Sequence, residues 1–288
     1  MGPRVYYDMT TYDSSIKSLA QFTGISEADI QNYILINEDY SADHFISEFG
    51  IDENQLLHND LWLASLHVTT NNDECASLKT YGLMNLKQTI SLDTALGRYL
   101  NDCGVQFDLA HRRVHYKGKT FDSFTKPEGL PGVEEDATFF RLFRDPQITS
   151  FFSYDNVLTY EGLSERPEFL YNLAVLLNAP SLTSDWDRSS KCYVAKFVAP
   201  ISHYSDWCFD VDEENDYLEQ EDTENKRRRA IIAHTLQNLY VGFFHQTLAE
   251  NYSFMRPDKI VPFSNMIAVM TREQYLREYG YWDEPDIS

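Results

Sequence analysis

The sequence has few basic residues for its length. Of 288 residues, 24 are Lys or Arg and 45 are Asp or Glu, which gives a formal net charge of −21. This imbalance argues against broad, non-specific binding of nucleic acid. It leaves two alternatives open: a local basic groove, or an acidic surface that recruits a basic partner.

The sequence also lacks any long apolar run. No segment approaches the ~20 consecutive apolar residues that cross a bilayer, so we expect no contact with a membrane. The first residues contain no signal-peptide core. Only four cysteines are present, and their spacing is not that of metal ligands: Cys75, Cys103, Cys192 and Cys208. We therefore expect reduced thiols, no bound metal and a cytoplasmic protein.

Several common catalytic motifs are missing. The chain has no Gly-Lys-Ser/Thr phosphate loop, no Gly-x-Ser-x-Gly elbow and no His-Glu-x-x-His helix. These absences argue against a P-loop nucleotidase, an α/β-hydrolase and a zinc protease of the usual kinds.

The aromatic content of 14% and the hydrophobic content of 43% suffice for a packed core. We predict a helical N-terminal extension over residues 1–58 and a larger domain over residues 59–288. Within the extension, apolar spacing and glycine junctions predict two helix pairs: Ser14–Phe22 with Ser26–Ile36, and Asp43–Phe49 with Asp52–Leu57. Such pairs occur in DNA-binding domains, but the scarcity of Lys and Arg favours simple packing on the main domain.

The most informative stretch begins with an apolar run, Leu61–Val68, which reads as a buried strand. Alternation places His67 and Thr69 on one face of that strand. A polar turn and a helix follow, with Asn72 or Asp73 as the expected N-cap. Gly82 then stands where a helix C-terminus favours a left-handed residue. Two polar groups at the end of a buried strand are costly unless something binds them.

The rest of the chain is predicted to contain both helices and strands. Residues 105–121 predict a hairpin with a Lys117-Gly118-Lys119 turn, and its basic residues form either a solvated face or a phosphate contact. The acidic segment 206–224 is expected to be a solvated loop, not a calcium site, and to pair with the basic run 226–229. The remaining predicted helices are Leu92–Leu100, Asp136–Phe143, Pro146–Phe152, Pro167–Leu177, Thr223–Ala249 and Arg272–Tyr279; strands are predicted at Ser189–Ala199 and on both sides of Pro257-Asp258.

Two parts of the chain together resemble the ADP-ribosyltransferase superfamily. The first is His67-Val68-Thr69 followed by Gly82-Leu83. The second is Glu250, which opens a late strand before Pro257-Asp-Lys-Ile-Val-Pro262 and Ile267-Ala-Val269. The resemblance covers about residue 61 to residue 271. Within the superfamily, the chain is similar to DNA-modifying toxins of the DarT type, or to mRNA-modifying toxins of the CmdT kind. It implies an α+β fold with a split antiparallel core and helical insertions.

The resemblance also implies roles for individual residues. Glu250 would be the catalytic carboxylate. For NAD binding, His67 would hold a ribose hydroxyl with the support of Thr69, and the Val68 backbone would hold the nicotinamide carboxamide. Gly82 and Leu83 would complete the motif. Tyr81 is one aromatic residue available to stack on nicotinamide, and Arg98 would lie near the pyrophosphate. Read without the resemblance, His67 is a core histidine, and Glu250 is an ordinary carboxylate at the C-terminal end of the predicted helix Thr223–Ala249 or at a strand edge. Tyr99, Tyr193 and Phe151 are alternatives for the stacking ring, and Arg112 for the arginine.

A carboxylate at this position suits the chemistry. Cleavage of the nicotinamide–ribose bond passes through an oxocarbenium-like state, which a fixed negative charge stabilises. We therefore expect an NAD-consuming enzyme, a toxin of a toxin–antitoxin or anti-phage system, with an RNA or DNA acceptor in preference to a protein. An antitoxin protein remains open as a partner. The alternatives are an RNA 2′-phosphotransferase and a catalytically inactive interaction module.

Overall fold

The computed structural model of the protein describes residues 2–37, 40–125, 136–209 and 220–280, with the backbone alone at 220–222. The N-terminal region contains one strand and four helices: β1 (Arg4–Tyr7), α1 (Tyr12–Thr23), α2 (Glu27–Ile36), α3 (Ala42–Phe49) and α4 (Glu53–Leu57). The four predicted helices are confirmed. Local signals define them, because Thr11, Ser26, Ser41 and Asp52 each accept an N-cap hydrogen bond.

The next region begins with the long strand and continues into helices and a small sheet. It consists of β2 (Asp60–Asn71), α5 (Ala76–Tyr81), α6 (Leu86–Ser91), α7 (Ala95–Asp102), β3 (Gln106–Asp108), β4 (Arg113–Tyr116) and β5 (Lys119–Asp122). The predicted strand and hairpin are confirmed. The predicted helix Leu92–Leu100 is displaced: Thr94 caps α7, whereas Ser91 ends α6, a helix that we did not predict.

The remaining elements complete the main sheet. They are α8 (Ala137–Phe143), β6 (Thr149–Ser153), α9 (Glu168–Leu176), α10 (Ser181–Ser189), β7 (Lys191–Pro200), α11 (Gln220–His245), β8 (Asn251–Phe254), β9 (Met266–Thr271) and α12 (Arg272–Tyr279). The described chain is thus an α+β protein, as predicted. No helix in its described part is both long and apolar enough to cross a membrane.

The prediction of a helix at Pro146–Phe152 is wrong, because β6 occupies most of that segment. Ile148, Phe151 and Phe152 have the spacing of one helix face. Phe151 is nevertheless paired with Leu66 on one face of the sheet, while Phe152 packs in the hydrophobic cluster of the opposite face. A strand buried on both faces produces a continuous apolar run that resembles a helix in sequence.

The main sheet has the strand order β8-β6-β2-β7-β9, with β1 pairing in parallel beside the first half of β2. The two prolonged contacts of β2 are with β7, over residues Trp62 to Asn71, and with β1, over Asp60 to Leu63. Its antiparallel contact with β6 consists of a single pair, Leu66 with Phe151. This short contact leaves the end of β2 open on one side.

The N-terminal region shares its core with the rest of the chain. Leu19, Phe45 and Leu63 belong to one buried cluster together with Leu236 of α11. Predicting this region as helical therefore missed β1, and the segment before residue 59 contributes both to the main sheet and to its core. A second cluster lies under α7 to α10 and the small sheet, and a third packs α12 on the other face of the main sheet.

The basic run at the start of α11 pairs partly as predicted. Arg227 contacts Asp206 and Glu224, and Arg228 contacts Glu224. Arg229 instead contacts Asp43 and Glu53 of the N-terminal helices. Residues 126–135, whose prolines and glycines predict a loop, and the acidic residues 210–219 lie outside the described residues.

Candidate active site

A cleft of about 680 Å³ opens where β2 extends beyond β6. Past Leu66, no strand of the described chain pairs with this side of β2, and its last five residues, His67 to Asn71, all line the cleft. This volume lies within the range of small-molecule and cofactor sites. The predicted His67-Val68-Thr69 motif therefore lies in a cavity large enough for a ligand.

The His67 ring is oriented by a hydrogen bond between its Nδ1 and the Thr149 carbonyl oxygen, at 2.8 Å. A carbonyl only accepts, so Nδ1 carries a proton. Burial lowers the pKa of His67, and the hydrogen bond to Thr149 offsets this only in part. The imidazole is consequently neutral at pH 7, and its Nε2 is an acceptor for a ligand hydroxyl.

Gly82 and Leu83 line the same cleft and are locked to the late part of the chain. Leu83 exchanges backbone hydrogen bonds with Val261, and the Asn85 side chain donates to the Pro257 carbonyl at 2.7 Å. The expected left-handed helix end at Gly82 is not what the backbone adopts: its φ is 79° but its ψ is −173°. Glycine is required there because a Cβ would lie 2.3 Å from the Val261 carbonyl oxygen.

The helix between these two motifs begins later than predicted. Cys75, with a φ of 62°, is its N-terminal residue and provides no side-chain cap. Asp73 still contributes by accepting a hydrogen bond from the backbone nitrogen of Ser77, at 3.2 Å. Asn71 at the end of β2 accepts from the backbone nitrogen of Cys75, at 2.9 Å. Side chains of the turn therefore connect the strand to the helix.

Two of the predicted NAD-binding residues do not line the cleft. Arg98 pairs with Asp73 and Asp93 outside it, so its guanidinium fixes the turn after β2 and the start of α7. Tyr81 lies next to Gly82 but is not among the lining residues. The alternatives Tyr99, Tyr193, Phe151 and Arg112 do not line it either, whereas Tyr160, which we did not single out, does.

Glu250 lies beside the cleft and is not part of its lining. The long helix ends at His245 instead of Ala249, so the prediction of a carboxylate at a helix C-terminus is wrong. The Tyr252 hydroxyl donates to Glu250 at 3.3 Å, and the Tyr252 ring contacts the ring of Tyr160, with centroids 5.6 Å apart. Tyr252 and Tyr160 therefore separate Glu250 from the cleft, and Tyr160 is one of the residues that line it.

The sheet register relates Glu250 to His67. Leu66, Phe151 and Tyr252 are paired in one row, so their side chains share a face of the sheet, and Glu250 contacts Tyr252 on that face. His67 follows Leu66 and leaves the strand on the opposite face. The two predicted residues thus lie on opposite faces of the sheet, and the structure does not bring their side chains together in the cleft.

The cleft also contains charged residues that we did not predict. Arg141 pairs with Asp145 and with Glu168, and all three line the cleft. Arg144 lines it as well and is shared with a second groove of about 480 Å³. That groove contains His111, Arg112 and Arg113 of the predicted basic patch, so these residues face a concave surface adjoining the cleft. In the sequence, the only signal for Arg141 and Arg144 was that the two arginines lie close together.

No arrangement of three or more His, Cys, Asp or Glu side chains suitable for a metal occurs within the described residues. All four cysteines are free thiols. Comparison of the chain with family models, curated proteins and solved structures found no match.

Proposed function

We propose that the protein is an NAD-dependent ADP-ribosyltransferase that modifies a nucleic acid. The observation that carries the proposal is the convergence of two motifs distant in sequence. His67, Val68, Thr69, Gly82 and Leu83 line one cleft, and the segment that begins at Glu250 is hydrogen-bonded to its wall through Val261. These are the two parts of the chain that resemble the superfamily.

The residues of the cleft suit the binding of a dinucleotide. Neutral His67 presents Nε2 as an acceptor for a ribose hydroxyl, because Nδ1 is held by Thr149. Val68 also lines the cleft, and the resemblance implies that its backbone holds the nicotinamide carboxamide. Tyr160 forms the wall between this position and Glu250. The proposal requires the ribose to extend past Tyr160 toward the carboxylate.

The reaction is a substitution at the anomeric carbon of the nicotinamide ribose. The bond between C1′ and the nicotinamide nitrogen breaks, and nicotinamide leaves with the electron pair. A nucleophilic atom of the acceptor base forms the new bond to C1′ and loses its proton to Glu250 or to water. A carboxylate near C1′ stabilises the positive charge that develops between these events.

Label transfer tests the proposal directly. The protein is incubated with NAD labelled at the adenylate phosphate, separately with RNA, single-stranded DNA, duplex DNA and cell protein, and nicotinamide release is followed in parallel. We expect transfer to a nucleic acid, reduced about 10³-fold by Glu250→Gln, as is typical on removal of an electrostatic partner of a transition state. Glu165→Gln is the control, because this exposed carboxylate pairs with Arg166 and is not among the residues that line the cleft.

Other outcomes identify the alternatives. Release of an ADP-ribose cyclic phosphate from 2′-phosphorylated RNA would identify a phosphotransferase. Absence of NAD binding by calorimetry and of nicotinamide release would indicate an interaction module. As a test of the toxin role, expression of the active protein should arrest growth of a bacterial host, whereas the Glu250→Gln variant should not.

A further inference from the structure

Aromatic side chains form a continuous row from the mouth of the cleft to Glu250. The Trp207 ring lies 5.8 Å from that of Phe254, the Phe254 ring is stacked on Tyr252 at 6.3 Å, and the Tyr252 ring lies 5.6 Å from Tyr160. We call Trp207, Phe254 and Tyr252 the aromatic row. It follows β8, which is the edge strand of the main sheet.

Trp207 is the most exposed member of the row. Its side chain is 71% exposed, although burial of an indole is a large source of folding free energy. Among the described tryptophans, Trp186 is fully buried and Trp62 is half-buried. The position of Trp207 is therefore not explained by the hydrophobic core.

The turn that carries Trp207 is nevertheless held firmly. It is a one-turn 3-10 helix, Asp206–Phe209, which follows Ser205. The Ser205 nitrogen donates to the Phe254 carbonyl at 2.8 Å, and Asp206 accepts from Arg227 at 2.6 Å and from Arg256 at 3.3 Å. An exposed ring on a fixed turn loses little conformational freedom when a ligand stacks on it.

The row connects two positions that the proposed reaction needs. Trp207 and Phe254 line the cleft, and the hydroxyl of Tyr252 contacts the Glu250 carboxylate. A planar group lying against Phe254 would therefore lie in the cleft, beside the Tyr252 ring whose hydroxyl contacts the carboxylate. This is where an acceptor must present its nucleophile to C1′.

We propose that the aromatic row binds the acceptor nucleobase by stacking, with Trp207 as the first contact of a single-stranded nucleic acid. This inference rests on the proposed function and names its substrate class. Stacking on aromatic rings is uncharged and tolerates any base. It therefore suits a protein whose net charge of −21 opposes extended contact with phosphates. Single strands are favoured over duplexes because their bases are free to leave the stack.

Substitution of Trp207 tests the row. Trp207→Ala should raise the KM for a single-stranded acceptor about 5- to 150-fold, the range that corresponds to the loss of one stacked base. This effect should exceed any effect on the KM for NAD. Trp207→Phe, which keeps a ring, should restore most of the acceptor affinity. Tyr171→Ala is the control, because this ring is 55% exposed on α9 and is not among the residues lining the cleft.

Binding provides a readout that does not depend on catalysis. Single-stranded 12-residue DNA and RNA homopolymers should quench the tryptophan fluorescence of the wild-type protein, and the quenching should be lost in Trp207→Phe. Quenching without nicotinamide release would refute the proposed function and retain the aromatic row as a strand-binding surface. The inference is overturned if transfer occurs but Trp207→Ala leaves the acceptor KM unchanged, if protein alone accepts the label, or if neither quenching nor transfer is found.

Discussion

Leu83 and Val261 exchange two backbone hydrogen bonds, each 2.9 Å long, between the motif that follows β2 and the turn that follows β8. The pair forms an isolated antiparallel bridge outside the main sheet. It brings the backbone of Gly82 against the Val261 carbonyl, so that two residues lining the cleft, Gly82 and Leu83, are held by a segment remote in sequence. The integrity of the cleft should depend on this contact.

Gly82→Ala should therefore be strongly destabilising. The new Cβ would lie 2.3 Å from the Val261 carbonyl oxygen, and the backbone conformation at Gly82 is one that only glycine adopts without strain. We expect a loss of about 3 kcal/mol or more in the free energy of unfolding, measured by denaturant titration. Gly24→Ala is the control: its φ of 77° is similar, but nothing lies within 4 Å of the added Cβ. Its cost should be about 1 kcal/mol. Equal losses for the two variants would contradict the role of the Val261 contact.

The sequence predicted the elements that local signals define. The strand β2, the helices α1 to α4 and the late strands β8 and β9 have apolar periodicity, capping side chains or turn residues that operate within a few positions. Segment 146–152 lacked such a signal. Its conversion into β6 depends on pairing with Leu66 and Tyr252, and neither contact is visible in local spacing.

In the cleft too, residues that are neighbours in sequence were predicted, whereas residues that only the fold brings together were missed. His67, Val68 and Thr69 follow one another in sequence, so a short motif was enough to identify them. Tyr160, Arg144 and Trp207 come from separate segments and have no spacing in common. Arg98 was placed near the pyrophosphate because of the resemblance, but the carboxylates Asp73 and Asp93 hold its guanidinium. Such competition between partners can be resolved only in three dimensions.

The depressed pKa of His67 predicts a specific dependence on pH. Its ordinary value is 6.5, and burial lowers it in the folded protein. The neutral imidazole thus favours folding above pH 6.5, and this contribution is lost as the pH falls through the folded-state pKa. The wild-type protein should lose stability below pH 6.5 more steeply than His67→Gln, measured by denaturant titration at several pH values.

The control for this comparison is His115→Gln, since the His115 ring lies on the small sheet and contacts Thr120. This comparison separates the contribution of His67 from the general effect of removing an imidazole. The pKa of His67 can also be measured directly by NMR titration of its ring protons. A value above 6.5 would contradict both the burial argument and the assignment of Nε2 as an acceptor at neutral pH.

Tyr252→Phe isolates the contact between the aromatic row and Glu250. Burial, followed by the charges of Tyr160 and Glu250, raises the pKa of Tyr252, so its hydroxyl stays protonated and donates to the carboxylate at 3.3 Å. Loss of a hydrogen bond to a charged group costs about 1.5–3 kcal/mol. Because this bond is long, we expect the lower end, a reduction of about 10-fold in nicotinamide release. Tyr154→Phe is the control, since its ring belongs to the same aromatic group. The role of Tyr252 would be refuted by equal rates for the two variants.

Arg228 should anchor the N-terminal region to the rest of the protein. Its buried guanidinium donates to the Leu56 carbonyl at 3.0 Å, to the Asn59 carbonyl at 2.9 Å and to Glu224 at 2.7 Å. Arg228→Met would keep much of the side-chain volume but leave two backbone acceptors and a carboxylate without this donor. We expect a loss of about 3 kcal/mol or more in the free energy of unfolding, because breaking a buried ion pair leaves its partner uncompensated.

Arg229→Met is the neighbouring control: this more exposed arginine pairs with Asp43 and Glu53, and such pairs contribute about 0–1 kcal/mol. Hydrogen exchange should then show faster opening of α4 and the start of β2 in Arg228→Met alone, whereas equal protection in both variants would show that the N-terminal region is held by its hydrophobic contacts instead.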